Sequence, residues 1–228
     1  MANLFSSSIG RKLVMSISGC FLILFLLFHL TMNIVVLFSA ESYNAICAFL
    51  GANWYALVGT LVLAAGVALH ILYATWLTLG NRRARGEQRY AVTAAEQGVS
   101  WASKNMYILG LVIACGLLMH LYNFWYNMQL VELRGEHVNA LGTSPKNGAA
   151  LIAGLFSQPL YCVIYLVWLT AIWFHLTHGM WSMFQTVGWA NRKWYPRLKW
   201  CAQAIATLMM LGFAAVVIVF YVRSLEVV

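Results

Sequence analysis

Five long apolar runs constrain this chain more than any other feature. They cover about residues 13–38, 54–79, 104–128, 153–182 and 200–222. An apolar run of 18 or more residues is long enough to cross a bilayer, because about 20 helical residues span its roughly 30 Å hydrocarbon core. In lipid each segment must satisfy its own backbone polar groups, which favours helices. The sequence therefore predicts a single all-α integral membrane domain, residues 1–228, with five transmembrane helices.

Composition and the length of the first run agree with this prediction. The chain is 62% hydrophobic and 9% charged, whereas a soluble domain holds about 25% charged residues. The apolar run at 13–38 is too long for a cleaved signal peptide, whose apolar region has about 7–15 residues. We therefore expect the first run to be a retained span.

The net charge of +8 does not indicate nucleic-acid binding, because the basic residues follow a membrane pattern. If the N-terminus is cytoplasmic, eleven of the fourteen lie in inner segments: Arg11, Lys12, Arg82, Arg83, Arg85, Arg89, Lys104, Arg192, Lys193, Arg197 and Lys199. The outer segments hold Arg134, Lys146 and Arg223. The positive-inside rule then predicts a cytoplasmic N-terminus and an external C-terminus. The basic inner face is suited to anionic lipid and to a cytoplasmic partner.

The cysteines and glycines show none of the common cofactor motifs. Five cysteines (residues 20, 47, 115, 162 and 201) are scattered without a C-x-x-C pair, which argues against iron–sulfur clusters, zinc ribbons and covalently attached haem. No G-x-G-x-x-G or P-loop pattern occurs, so no nucleotide or flavin site is indicated.

Histidines inside four of the apolar runs carry the functional prediction. They occur in "FLLFHLTMNIVVLF" (His29), "VALHILYATW" (His70), "LLMHLYNFW" (His120) and "WFHLTHGMW" (His175 and His178). At 1.5 Å per residue, His29 and His120 each lie about 24 Å from the inner end of their spans. The same count places His70 and His175 together in the inner half, with the two levels about 10 Å apart.

Two histidine pairs on facing helices are the ligand set that two b-type haems require. Each iron takes one imidazole from either side of the macrocycle, and the filled coordination sphere favours electron transfer. Small residues one turn before three of the histidines (Gly66, Gly116 and Ala171) leave room for a porphyrin over the helix face. Phe25 before His29 breaks this pattern.

Other interpretations of these residues remain open at this point. A single intramembrane histidine can hydrogen-bond to a neighbouring helix, and small residues at this spacing also serve helix packing. His178 lies one turn from His175 and is an alternative ligand. A proton-coupled transporter would need ionisable groups along its pathway, usually carboxylates. The chain has no aspartate, and its six glutamates lie in loops or near span ends, which makes this the weakest alternative.

The segments "FHLTMN", "LHILYATW", "MHLYNFW" and "FHLTHGMWSMFQTVG", with "AESYN" after the first span, resemble the dihaem cytochrome b membrane-anchor subunit of succinate:quinone oxidoreductases and quinol:fumarate reductases. The resemblance covers essentially the whole chain. It implies that spans one to four form a haem-binding bundle and that span five is peripheral. It also implies a bacterial-type cytoplasmic membrane and a role in the tricarboxylic acid cycle or anaerobic respiration.

The resemblance also assigns residues. It implies that His29 and His120 bind an outer haem b and that His70 and His175 bind an inner one, with His178 as the second choice. Quinone, with menaquinone the expected species, would react near the outer haem, where Glu41, Tyr43 and Asn44 are its expected neighbours. Trp173 stands where a branch of the family has a glutamate.

The partners implied by the resemblance are a flavoprotein and an iron–sulfur subunit on the cytoplasmic face. The dicarboxylate site would lie on those partners, and this chain would pass electrons between the iron–sulfur subunit and quinone. The alternative within the same chemistry is a dihaem cytochrome b anchor of a hydrogenase or a formate dehydrogenase.

Overall fold

The computed structural model describes residues 7–85, 100–189 and 191–226, and its regular structure there is entirely helical. Five of the helices are long and apolar enough to cross a membrane. They are α1 (Ser8–Ile34, continued by a 3₁₀ turn at Val35–Leu37), α3 (Trp54–Arg85), α5 (Met106–His120, continued by a π-helical segment at Leu121–Trp125), α8 (Pro159–Thr186) and α9 (Tyr195–Leu225). The shorter helices are α2 (Ala40–Phe49), α4 (Trp101–Lys104), α6 (Gln129–Leu133) and α7 (Gly148–Phe156).

The expected all-α chain with five membrane-length helices is thus confirmed, and the cytoplasmic location of the N-terminus stays a prediction. Arg89, which the sequence analysis assigns to an inner segment, lies outside the described residues. The fourth span differs from its predicted bounds of 153–182. Helix α7 ends at Phe156, and a separate helix, α8, begins at Pro159. Proline lacks the N–H that a helix interior requires but suits the first turn, so the apolar run divides there into two helices.

Consecutive long helices run in opposite directions. Phe21 of α1 lies against Gly66 of α3. Ser18, which precedes Phe21 on α1, lies against His70, which follows Gly66 on α3. The same reversal occurs between α5 and α8 and between α8 and α9. Helices α1, α3, α5, α8 and α9 therefore alternate in direction, as five successive membrane crossings require.

The fifth membrane helix, α9, is not peripheral, which corrects the expectation from the sequence. Its Ala206 is fully buried and Met209 is 2% exposed, in a core shared with α8. Leu30 of α1 lies against Gly212, and the Arg223 guanidinium donates to the Leu37 carbonyl oxygen at 3.2 Å. Small residues on α9 permit this close packing of helices. The span contains no histidine, so the histidine pattern did not indicate that it packs against the other helices.

A hydrogen bond between side chains also joins α8 to α9. The indole N–H of Trp173 donates to Thr207 Oγ1 at 2.9 Å. Trp173 is thus engaged with α9. Both side chains are partly buried, so the bond holds two helices together where lipid offers no alternative partner.

We expect Thr207→Val to destabilise the protein by about 1 kcal/mol, because valine keeps the shape of the side chain but leaves the Trp173 indole N–H without an acceptor. Unfolding in detergent micelles measures the effect. Thr170→Val is the matched control, since the exposed Thr170 hydroxyl donates within its own helix, to the Leu166 carbonyl oxygen. Equal losses of stability in the two variants would contradict the prediction.

Candidate functional site

The four depth-matched histidines lie in two pairs, each joining two membrane helices. The ring centroids of His29 on α1 and His120 on α5 are 5.9 Å apart, with an interplanar angle of 88°. Those of His70 on α3 and His175 on α8 are 6.4 Å apart, with an angle of 69°. We call these the outer pair and the inner pair. Their membership is the one expected from the positions of the histidines along the spans.

The two pairs are further apart along the bundle than the sequence suggested. The His70 ring lies beside Gly19 of α1, ten residues before His29, and the His175 ring lies beside Gly110 of α5, ten residues before His120. At 1.5 Å per residue the levels are about 15 Å apart. The smaller separation expected from the sequence treated the span ends read from hydropathy as level with one another. They are not level, because Gly19 is six residues from the predicted inner end at 13, whereas His70, which lies beside it, is nine residues from the predicted inner end at 79.

Aromatic side chains surround the outer pair. The His29 ring stacks on Phe25 at 5.4 Å and contacts Phe213 of α9 at 5.7 Å, measured between centroids. The His120 ring has three further neighbours at 5.0–6.2 Å: Phe124, Trp168 and Tyr165. This shell keeps the outer imidazoles in an apolar environment and brings α9 into contact with the site.

The backbone changes its helical form directly after His120. Residues Leu121–Trp125 are π-helical, a form that is rare and frequent at functional sites. The Asn127 amide donates to the carbonyl oxygens of Tyr122 and Asn123, and the Asn123 amide donates to the Tyr165 hydroxyl at 3.1 Å. Sequence reasoning missed this segment. The signal available in the sequence was two asparagines, four residues apart, at the end of an apolar run.

The imidazole nitrogens of the two pairs differ in their partners. Nδ1 of His70 lies 2.9 Å from the Ser18 hydroxyl oxygen. Nδ1 of His120 and Nδ1 of His175 are buried and have no hydrogen-bond partner among the described residues. On α1, the Asn33 amide nitrogen lies 3.3 and 3.4 Å from the two ring nitrogens of His29, and donates to the His29 carbonyl oxygen at 2.7 Å.

His178 is directed elsewhere. The ring that lies against His70 is that of His175, whereas the His178 ring lies edge-on to Trp181 with centroids 5.2 Å apart. His178 Nδ1 is also buried, with no partner in the described part of the chain. Of the two histidines on α8, the geometry therefore favours His175 as the one that acts together with His70.

The spacing within the pairs fits two imidazoles on one haem iron. A metal–imidazole bond of about 2.0 Å, with the ring centroid about 1.1 Å behind the ligating nitrogen, puts the two centroids about 6.2 Å apart. The observed 5.9 and 6.4 Å lie on either side of this value. Among the described residues no group of three or more His, Cys, Asp or Glu side chains could hold a metal ion. A haem needs only two protein ligands, because its macrocycle supplies the other four.

The glycines one turn before the histidines do not provide the open space that the sequence suggested. A Cβ atom on Gly66 would meet the Phe21 ring, and one on Gly116 would overlap the indole of Trp168. Aromatic rings of neighbouring helices thus lie against both glycines, and the Trp168 indole N–H donates to the Ile113 carbonyl oxygen at 3.1 Å. The small residues are explained by close packing of aromatic side chains, which the spacing pattern alone could not distinguish from room for a porphyrin.

Among the residues expected near a quinone, Tyr43 is linked to the outer pair. Its buried hydroxyl donates to Asn33 Oδ1 at 3.1 Å, and Asn33 in turn donates to the carbonyl oxygen of His29. Burial raises the pKa of Tyr43 above its ordinary value, so the phenol stays protonated and remains a donor. Glu41 is exposed on the same short helix, α2.

Asn44 joins two of the short helices. Its amide donates to Asn147 Oδ1 at 2.9 Å, and its oxygen accepts from the Ala149 backbone N–H at 3.0 Å. Asn44 therefore fixes α2 against the start of α7.

The arrangement brings two imidazoles from different helices together at each of two levels of a membrane-length helix bundle. No protein-family model, no curated protein and no solved structure matches this chain.

Proposed function

We propose that this chain is the dihaem cytochrome b subunit that anchors a succinate dehydrogenase or fumarate reductase complex in the membrane. It passes electrons between an iron–sulfur partner and membrane quinone, with menaquinone as the expected species. The observation that carries the proposal is the pairing of four histidines from four helices at two levels about 15 Å apart.

The four histidines are the proposed axial ligands. His29 and His120 hold the outer haem b, and His70 and His175 hold the inner one. A haem held by two of these imidazoles would supply one-electron transfer, because it would keep no coordination position open for another ligand. The helices keep each imidazole pair fixed in a water-poor environment, which suits electron transfer without exchange of ligands.

Residues outside the two pairs have supporting roles. The aromatic shell of the outer pair excludes water from the outer haem. Tyr43, Glu41 and Asn44 lie on α2, next to the outer end of α1, and form the proposed quinone neighbourhood. Tyr43 is the member linked to His29 through Asn33.

The partners of the proposed complex are those that the family resemblance implies, and the distribution of charge indicates the face on which they dock. Basic residues such as Arg192, Lys193 and Arg197 form the proposed cytoplasmic face, where the flavoprotein and iron–sulfur subunits dock. The N-terminus is cytoplasmic in this arrangement and the C-terminus is external. This chain shows no flavin or dicarboxylate motif, so the partners carry that chemistry.

Purification of the tagged chain from membranes of cells supplied with haem tests the proposal. We expect a pyridine haemochrome spectrum with about two haems b per chain, because four histidines serve two irons. Mass spectrometry of the co-purified proteins should identify a flavoprotein and an iron–sulfur protein. The complex should couple succinate oxidation or fumarate reduction to quinone, and the isolated chain should do neither.

Three outcomes would contradict this assignment. A colourless preparation would remove the haem proposal and revive a transporter function. A haem-loaded complex that reacts with hydrogen or formate, but with neither dicarboxylate, would make the chain the anchor of another oxidoreductase. A haem-loaded chain without partner subunits would leave a dihaem cytochrome that is not an anchor.

A further inference from the structure

Ser18 of α1 is hydrogen-bonded to His70, the member of the inner pair that lies on α3. Ser18 is 5% exposed, and its oxygen lies 2.9 Å from Nδ1 of His70. The same hydroxyl donates to the Met15 carbonyl oxygen, one turn back on α1, at 3.1 Å. Serine hydroxyls in helices commonly bond back to a carbonyl of the preceding turn.

Only one tautomer of His70 allows both of these contacts to be hydrogen bonds. A serine hydroxyl has one hydrogen to donate and two lone pairs that accept. When its hydrogen goes to the Met15 carbonyl oxygen, the hydroxyl can only accept from His70. The tautomer that makes both contacts hydrogen bonds therefore carries its hydrogen on Nδ1 and a free lone pair on Nε2. That tautomer is the one that can bind a metal through Nε2.

The other three paired histidines lack such a contact within the described part of the chain. Nδ1 of His120 and Nδ1 of His175 have no partner there. The Asn33 amide lies almost equally far from both ring nitrogens of His29 and donates to the backbone carbonyl instead. Of the four, and among the described contacts, only His70 is hydrogen-bonded to a hydroxyl of a neighbouring helix.

We propose that Ser18 is a positioning residue for the inner haem, and this inference rests on the proposed function. Ser18 holds the His70 ring with Nε2 directed away from α1 and fixes the tautomer that ligates iron. A ligating imidazole that donates its other N–H is a more basic ligand. It therefore stabilises the ferric form and keeps the midpoint potential of the inner haem lower than it would otherwise be.

Redox titration and low-temperature EPR of the purified, haem-loaded complex test this role. In Ser18→Ala the midpoint potential of the inner haem should shift upward while that of the outer haem stays unchanged. The low-spin EPR signal of the inner haem should also change, because it reports the orientation of the two imidazole planes. The inner signal is identified as the one missing from His175→Ala. Ser18→Thr, which keeps the hydroxyl, should restore the wild-type potential and signal.

Two further variants keep the test decisive. Ser16→Ala is the matched control, since Ser16 is also buried on α1 but lies about 200° around the helix from Ser18. In this variant the midpoint potentials of both haems should equal those of the wild type. If Ser18→Ala does not accumulate, Ser18→Cys carries the test. Its thiol is a weak acceptor and should shift the inner potential in the same direction.

The possible failures are distinguishable. A wild-type chain without haem overturns the proposed function. A haem-loaded wild type in which Ser18→Ala, or Ser18→Cys in its place, leaves the inner potential and signal unchanged overturns the role of Ser18 alone. Equal shifts of both haems, or the same shift in Ser16→Ala, show a general structural effect and also overturn that role.

Discussion

We expect His175→Ala to reduce the haem content from two to one per chain and to lower electron transfer between the iron–sulfur partner and quinone to background. We expect His178→Ala to keep both haems. The physical reason is the placement of the two rings: His175 lies 6.4 Å from His70 between centroids, whereas His178 contacts Trp181. Removal of one axial imidazole leaves a b-type haem with a single protein ligand and no covalent attachment.

The measurement is the haemochrome content of each variant, with the succinate:quinone or quinol:fumarate rate of the complex. His178→Ala serves as the matched control, because it removes a histidine one turn away on the same helix. Loss of the inner haem in His178→Ala, with retention in His175→Ala, would reverse the assignment. Two haems in both variants would show that neither histidine on α8 is a ligand.

Much of this arrangement could be predicted from the sequence because a small number of strong physical constraints determine how membrane helices form. Lipid forces each backbone segment into a helix of known rise, so hydropathy locates the spans and residue counts give relative depth. His29 and His120, at matching depths on their spans, could therefore be paired by counting residues alone. The same counting could not yield helix tilt or true helix ends, which is why the level separation was underestimated.

The features that sequence reasoning missed depend on side-chain packing between helices. The π-helical segment after His120 and the burial of α9 follow from which surfaces meet, and hydropathy is nearly uniform around these helices. The small residues at Gly66 and Gly116 illustrate the limit most clearly. Their spacing from the histidines indicates a need for space, but only the structure shows that Phe21 and Trp168 occupy it.

We expect the second large effect in the variant Gly116→Ala, because the side chain of Trp168 lies directly against this glycine. The added methyl group would overlap the five-membered ring of the Trp168 indole, a rigid group that cannot bend away. Trp168 also contacts the His120 ring and donates to the Ile113 carbonyl oxygen. Either the indole moves and loses that hydrogen bond, or α5 and α8 separate.

We expect Gly116→Ala to lower the free energy of unfolding by about 1–3 kcal/mol, the usual cost of overpacking a well-packed core. The displaced Trp168 should also perturb His120, so the outer haem should lose occupancy or shift its potential while the inner haem is unaffected. Gly59→Ala is the matched control, because a Cβ at Gly59, also in a membrane helix, meets no atom within 4 Å in the described part of the chain. Alanine is the better helix former by about 1 kcal/mol, so this control should be neutral or stabilising.

Unfolding in detergent and redox titration of the haem-loaded chain measure both parts of this prediction. Combining Gly116→Ala with Trp168→Phe should recover part of the lost stability, because the smaller ring reduces the overlap and contacting residues are energetically coupled. Gly116→Ala with the stability of Gly59→Ala and an unchanged outer haem would show that the indole does not lie against this glycine. The close packing of α5 on α8 would then not be what holds His120 in the outer pair.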